Sequence, residues 1–228
     1  AIKARVAGVV VKYGLQSIAN PLLDPYDIRA LPPTFRGLTF AAHPTPAVAL
    51  SGGSMDSMIV RGASHRQPLA TGYGGTAFER LDWAGGDWAD NGADKFSMYV
   101  DRARDLWDQV YLSGSHSVVL AHGIKWTGAG DVYSTRGRGR QLQGPINNTA
   151  YSVSLSAQAG PRNFLAGFQR VVGEQFFDFL QETSGIYLSN AMGTDYNAPH
   201  ERSVQLRYKL DGAGIGVPGF QTMAWAIA

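Results

Sequence analysis

The stretch Thr149-Ala150-Tyr151-Ser152-Val153-Ser154-Leu155-Ser156-Ala157-Gln158 decides how the chain is read. Tyr151, Val153, Leu155 and Ala157 are apolar, and Ser152, Ser154, Ser156 and Gln158 alternate with them. A period of two belongs to a β-strand, whose successive side chains leave opposite faces. This strand therefore has one oily face and one hydrogen-bonding face. After Ala159-Gly160-Pro161-Arg162, a turn by composition, Phe164, Ala166 and Phe168 resume the pattern. Val204, Leu206, Tyr208 and Leu210 then alternate with Ser203, Gln205, Arg207 and Lys209. Toward the start, Ile2, Ala4 and Val6 alternate with Lys3 and Arg5, and Leu38 and Phe40 with Thr39 and Ala41. Phe96, Met98 and Val100 alternate with Ser97, Tyr99 and Asp101. Helical spacing is largely absent, and the fold class is all-β.

Sheets with one oily and one polar face fit two architectures, an antiparallel sandwich closed on an apolar core or a membrane barrel with its apolar side outward. Connection lengths discriminate. Alternation and turn residues predict about eleven strands, near 2–13, 36–43, 47–54, 78–88, 94–102, 105–113, 116–127, 149–158, 163–171, 203–210 and 220–227. The connections at 14–35, 55–77, 128–148 and 172–202 are long. Those between them are short or rich in Gly and Pro, such as His43-Pro44-Thr45-Pro46 and Asp90-Asn91-Gly92. Only the tight link near Ala103-Arg104 departs from this parity. Short turns at one end and long loops at the other are the habit of an up-and-down transmembrane barrel. Both ends of the sequence lie inside strand patterns and the strand count is odd. The expectation is one β-barrel domain over residues 1–228, truncated at one or both ends.

Composition narrows the function classes. With 228 residues and no cysteine, a disulfide framework, a zinc-thiolate site and a cysteine nucleophile are excluded. Twenty basic and eighteen acidic residues leave a formal charge of +2, and 44% of residues are hydrophobic, which excludes disorder. His43, His65, His116, His122 and His200 show no metal-ligating spacing. Gly212-Ala213-Gly214-Ile215-Gly216 precedes no helix pattern, so it is no phosphate cradle. Arg136-Gly137-Arg138-Gly139-Arg140 reads as a mobile basic loop suited to lipopolysaccharide phosphates, and no nucleic-acid partner is expected. Trp83, Trp88, Trp107, Trp126 and Trp225 read as an aromatic girdle at the membrane interfaces.

Several ordered landmarks resemble the OprD family of bacterial outer-membrane porins. His200-Glu201-Arg202-Ser203-Val204-Gln205-Leu206-Arg207-Tyr208 with Gly216-Val217-Pro218-Gly219 is similar to a strand and turn of that family. Asn148-Thr149-Ala150-Tyr151-Ser152, Phe168-Gln169-Arg170-Val171, Lys12-Tyr13-Gly14 and Arg29-Ala30-Leu31-Pro32-Pro33-Thr34-Phe35 resemble further family segments. The resemblance implies a barrel of about eighteen strands, located in the bacterial outer membrane. It also implies passive, substrate-selective uptake of small carboxylate-bearing solutes such as amino acids and organic acids. No catalysis and no cofactor are implied. The partners would be those solutes, outer-membrane lipid and lipopolysaccharide, with the pore a monomer or weak homotrimer. Ala191, Met192 and Gly193 depart from the family pattern.

Alternation puts Lys3, Arg5, Arg207 and Lys209 on the polar side, where they would form a basic wall for carboxylates. The resemblance adds Arg29, at the position of a constriction-loop arginine. It also adds Asp195, in Thr194-Asp195-Tyr196-Asn197, and Glu182 as an acidic pocket opposite. Two alternatives stay open on the residues alone. One is a soluble secreted β-sandwich binding module. The other is a barrel hydrolase, for which no Ser/His pair has convincing spacing.

Overall fold

A computed structural model describes residues 1–25, 30–90, 92–183, 186–191 and 194–228. In chain order its strands are β1 (Ile2–Val6), β2 (Val9–Gln16), β3 (Thr34–Thr45), β4 (Val48–Ile59), β5 (Leu69–Ala70), β6 (Ala77–Phe78), β7 (Leu81–Ala89), β8 (Asp94–Ala103), β9 (Trp107–Val119), β10 (Lys125–Gly137), β11 (Asn147–Ala159), β12 (Arg162–Val172), β13 (Arg202–Asp211) and β14 (Gln221–Ile227). β5 and β6 pair with each other in a small hairpin. The other twelve form one antiparallel sheet in chain order, with β1 at one edge and β14 at the other. An unbroken sequential meander is the up-and-down topology; a Greek-key sandwich would interleave non-consecutive strands.

Which side faces out is settled by burial. Val153 and Leu155 are 53% and 51% exposed, while Ser152, next to Val153 on the same strand, is 1% exposed. Leu206 is 62% exposed and Gln205 fully buried. A water-soluble fold shows the opposite arrangement. Here the oily stripes of the sequence form the outer surface, and the polar stripes lie on the concave side, under the long connections. The sheet is thus an open, partial wall of a transmembrane β-barrel. No described helix is long and apolar enough to cross a membrane; the crossing elements are strands.

A band of aromatic side chains runs round the outer face beside the short turns. Trp88 stands opposite Phe96 across β7 and β8, and Phe164 opposite Tyr208 across β12 and β13, with ring centroids 4.9 Å apart. Trp126, at the start of β10, completes the band. Such rings hold the headgroup level of a bilayer, where one end of the side chain is wet and the other dry. The girdle therefore takes two of the five tryptophans. Trp83 and Trp107 are buried on the inner face, where Trp107 Nε1 donates to Asp101 at 3.1 Å.

Three expectations about strands need correction. Residues 2–13 are a hairpin, turning at Ala7 and Gly8 with φ of 47° and 83°. Two successive left-handed residues make the tight turn whose twist matches antiparallel strands. Residues 105–127 hold one long strand, β9, followed by a turn and the start of β10, and β10 continues through the first half of the connection expected at 128–148. With both changes the sheet has an even twelve strands where eleven were expected. The connections are short after β1, β3, β7, β9 and β11, while 212–220 after β13, on the same side, is as long as 138–146 after β10. The link after β8 stays tight, as the sequence indicates. The basic segment 136–140 is also anchored: Arg140 Nε lies 3.0 Å from Asp105, and Arg138 Nε 3.7 Å from Asp108.

Candidate functional site

Lumen-facing positions follow from register, since directly paired residues share a face. On β8 these are Lys95, Ser97, Tyr99 and Asp101; on β9, Ser113, Tyr111 and Gln109; on β10, Lys125, Asp131 and Tyr133. On β13 they are Ser203, Gln205, Arg207 and Lys209. The described residues of the long connections 17–33, 60–80 and 173–201 fold back over this face. They bury Leu22, Leu23, Phe177, Leu180 and Leu188 against Tyr111, Tyr133 and Leu106 of the wall and its tight link. The apolar core thus forms on the inner side of the sheet, where a plug of loop residues packs against inward-facing strand residues.

Polar contacts fix the plug. Asp178, only 3% exposed, accepts from the backbone N–H groups of Tyr73 (2.9 Å), Gly74 (3.1 Å) and Phe179 (2.8 Å) and from Gln143 Nε2 (2.7 Å). One carboxylate thereby joins three connections, and the backbone donors supply the compensation that a buried charge needs. Tyr133 donates to Pro21 O at 2.8 Å and accepts from Tyr187 N–H at 3.1 Å. Asn190 Nδ2 donates to Ser203 O at 3.0 Å and Oγ at 2.9 Å. Bridges Pro25↔Thr183 and Thr71↔Leu180 tie the connections to one another.

Beside this plug lies an open cavity of about 700 Å³. Lys95 and Arg207 bring positive charge to its wall, and Asp87 and Asp131 negative charge. Asp87 accepts from Ser97 Oγ and Tyr99 OH, both at 2.6 Å; Asp131 accepts from Tyr111 OH at 3.0 Å and Ser152 Oγ at 3.2 Å. Tyr187 enters from the 173–201 connection. Both carboxylates are held in orientation by hydroxyl donors. The cavity therefore places side chains of both signs around one open space.

Arg207 lies in this cavity, and Lys209, Lys3 and Arg5 occupy lumen-facing strand positions. They do not form one cluster. Lys3 and Arg5 sit on β1, with Lys12 opposite Lys3, at the far edge of the sheet from Arg207 and Lys209. Asp195 is in the folded-back connection; its carboxylate accepts from Tyr73 OH, and Gln169 Nε2 holds its carbonyl at 2.8 Å. Burial first and Asp195 second push the Tyr73 phenol above its ordinary range, which keeps it a donor. Glu182 is 9% exposed in its side chain and paired with Arg61 at 3.2 Å, so it ties two connections together. Arg29, Met192 and Gly193 lie outside the described residues.

Several site residues escaped the sequence reading. Lys12, Lys95 and Lys125 all face inward, and with Lys3 and Lys209 they are all five lysines of the chain. A rule was available: any lysine in mid-strand of a membrane barrel belongs on the wet side. Lys125 shares a row with Lys209 through Gln158 and Asn163. Asp87 and Asp131 carry no such signal, because Asp131 falls in the stretch 128–148 that reads as a connection and Asp87 lies beside Gly85 and Gly86.

The whole chain, residues 1–228, matches the family described as outer membrane porin, OprD family. Porin D of Pseudomonas aeruginosa is 27% identical over 98% of this chain and 53% of its own length. The crystal structure of Pseudomonas aeruginosa OccD3 (OpdP) superposes with a TM-score of 0.93 at 31% identity, covering 99% of this chain and 56% of that one. The structure of OccK2 (OpdF) from the same organism, in complex with glucuronate, gives a TM-score of 0.91 at 28% identity over 99% and 62%. The chain thus spans about half the length of the curated relatives it matches. Inverted burial, sequential antiparallel strands and a match over every residue agree: the chain belongs to the OprD family of outer-membrane porins.

Proposed function

We propose that this chain supplies part of the wall and constriction of a single-domain pore for passive, selective diffusion of small carboxylate-bearing solutes. The observation that carries the reading is the gathering of Lys95 and Arg207 with Asp87 and Asp131 around one open cavity on the lumen face. A guanidinium accepts a carboxylate in a planar fork, and an ordered carboxylate pair attracts an ammonium group. Charges of both signs in one cavity suit amino acids and other carboxylates with a polar far end. They attract without trapping, because the cavity stays open to water. Lys3, Arg5, Lys12, Lys125 and Lys209 extend the positive surface along the path, with Arg29 as a further member. Asp195 and Glu182 belong to the acidic side through the folded-back connection. Glucuronate, bound in the related OccK2 structure, is itself a small carboxylate. The outer face meets lipid, and the arginines of 136–140 suit lipopolysaccharide phosphates at the long-loop rim. The pore acts as a monomer or weak homotrimer.

Liposome swelling with the intact porin tests this reading. Carboxylates and zwitterionic amino acids should enter faster than neutral sugars of equal size; equal rates would remove the charge-selective pore. Arg207→Ala should slow carboxylate entry by about tenfold, the scale of one charge-assisted hydrogen bond, and leave neutral solutes unchanged. Asp131→Asn should move the reversal potential in a salt gradient toward anion selectivity, as a negative charge leaves the cavity. An unmoved potential would place Asp131 off the ion path.

A further inference from the structure

Register lines up three side chains across the lumen face near one edge of the sheet. Leu165 of β12 stands opposite Arg207 of β13, which stands opposite Trp225 of β14. Arg207 and Leu165 both line the wet cavity. Trp225 shares their face, because paired residues project to the same side. On that same side Met223 stands opposite Lys209 and Ile227 opposite Gln205, whereas Thr222, Ala224 and Ala226 fall on the lipid side. β14 thus reverses the pattern of β13: its bulky apolar groups face the lumen and its small ones face lipid. Trp225 is 52% exposed. An indole and an isobutyl group flanking a guanidinium make a mixed surface, with charge in the middle and apolar area on both sides.

We infer that Leu165, Arg207 and Trp225 form a subsite that sorts carboxylates by their bodies, favouring aromatic carboxylates over polyhydroxy acids of similar size. Arg207 takes the carboxylate, and the indole covers the ring by offset stacking. A polyhydroxy acid finds the same cation but would lose water from its hydroxyl groups against Trp225 and Leu165 without replacement partners. This assignment rests on the pore reading above, with benzoate and gluconate as the discriminating pair.

In the intact porin in planar bilayers, benzoate and gluconate should each reduce the ion current as they occupy the pore. Trp225→Ala should raise the half-saturating concentration of benzoate about threefold, the scale of one aromatic contact, and leave that of gluconate unchanged. Trp225→Phe should restore most of the benzoate affinity. If Trp225→Ala shifts both acids equally or neither, the subsite is overturned. Failure of the pore reading looks different: the wild-type protein would then admit neither acid faster than a neutral solute of the same size.

Discussion

Val153→Arg should lower the folding stability of the intact porin in lipid vesicles by about 2–4 kcal/mol, the cost of a cation on the lipid face near mid-membrane. Ser154→Arg, one residue along, should cost little. Val153 projects outward between Gly130 of β10 and Phe168 of β12, and the aromatic band at Trp126 and Phe164 lies a few residues away along the strands. Its position is therefore well inside the hydrocarbon layer. Ser154 lines the wet cavity, where a guanidinium keeps its hydration. Urea titrations of vesicle-folded protein measure the difference. Equal losses for the two variants would mean that the two faces have been assigned to the wrong solvents. Arginine at 154 should also strengthen anion selectivity, so the stable variant carries its own positive readout.

The second large effect is on the constriction. Asp178→Ala should raise single-channel conductance and bring carboxylate and neutral-solute permeation closer together, while the barrel itself stays folded. The substitution removes four hydrogen bonds and leaves three backbone N–H groups with no acceptor in the plug. Each orphaned donor costs about 1–3 kcal/mol. That sum is large against the free energy holding a folded-back loop, and small against a sheet whose strands are paired along nearly their whole length. Asp178→Asn should fall between wild type and alanine, because its amide oxygen accepts but its NH₂ group opposes the remaining donors. Conductance and selectivity identical to wild type in the alanine variant would show that the plug is held by its apolar contacts alone.

What could be read in advance followed the strength of the local signal. β11, β12 and β13 were legible because their outward residues are bulky and apolar and their inward ones polar. β10 was not: its outward positions include Gly128, Gly130 and Ser134, which dilute the oily stripe until it resembles a loop. The β1–β2 turn was hidden because Ala7-Gly8 interrupts a run of valines without a Pro, Asn or Asp to mark it. Among site residues, Arg207 and Lys209 could be found by alternation alone. Asp178 and Glu182 could not be given their structural roles, since their partners Tyr73 and Arg61 lie about a hundred residues away in another connection.

The sequence by itself determined the solvent of each strand face. A period of two is a local property, and it sorts side chains into two sets before any long-range contact forms. Only the tertiary structure decided what the wet face contains. Connections without period carry no instruction about direction, so the inward fold of 17–33, 60–80 and 173–201 depends on contacts between distant segments. The same holds for bringing Arg207, Asp87 and Asp131 to one cavity, which requires the seven strands from β7 to β13 to be laid side by side in register.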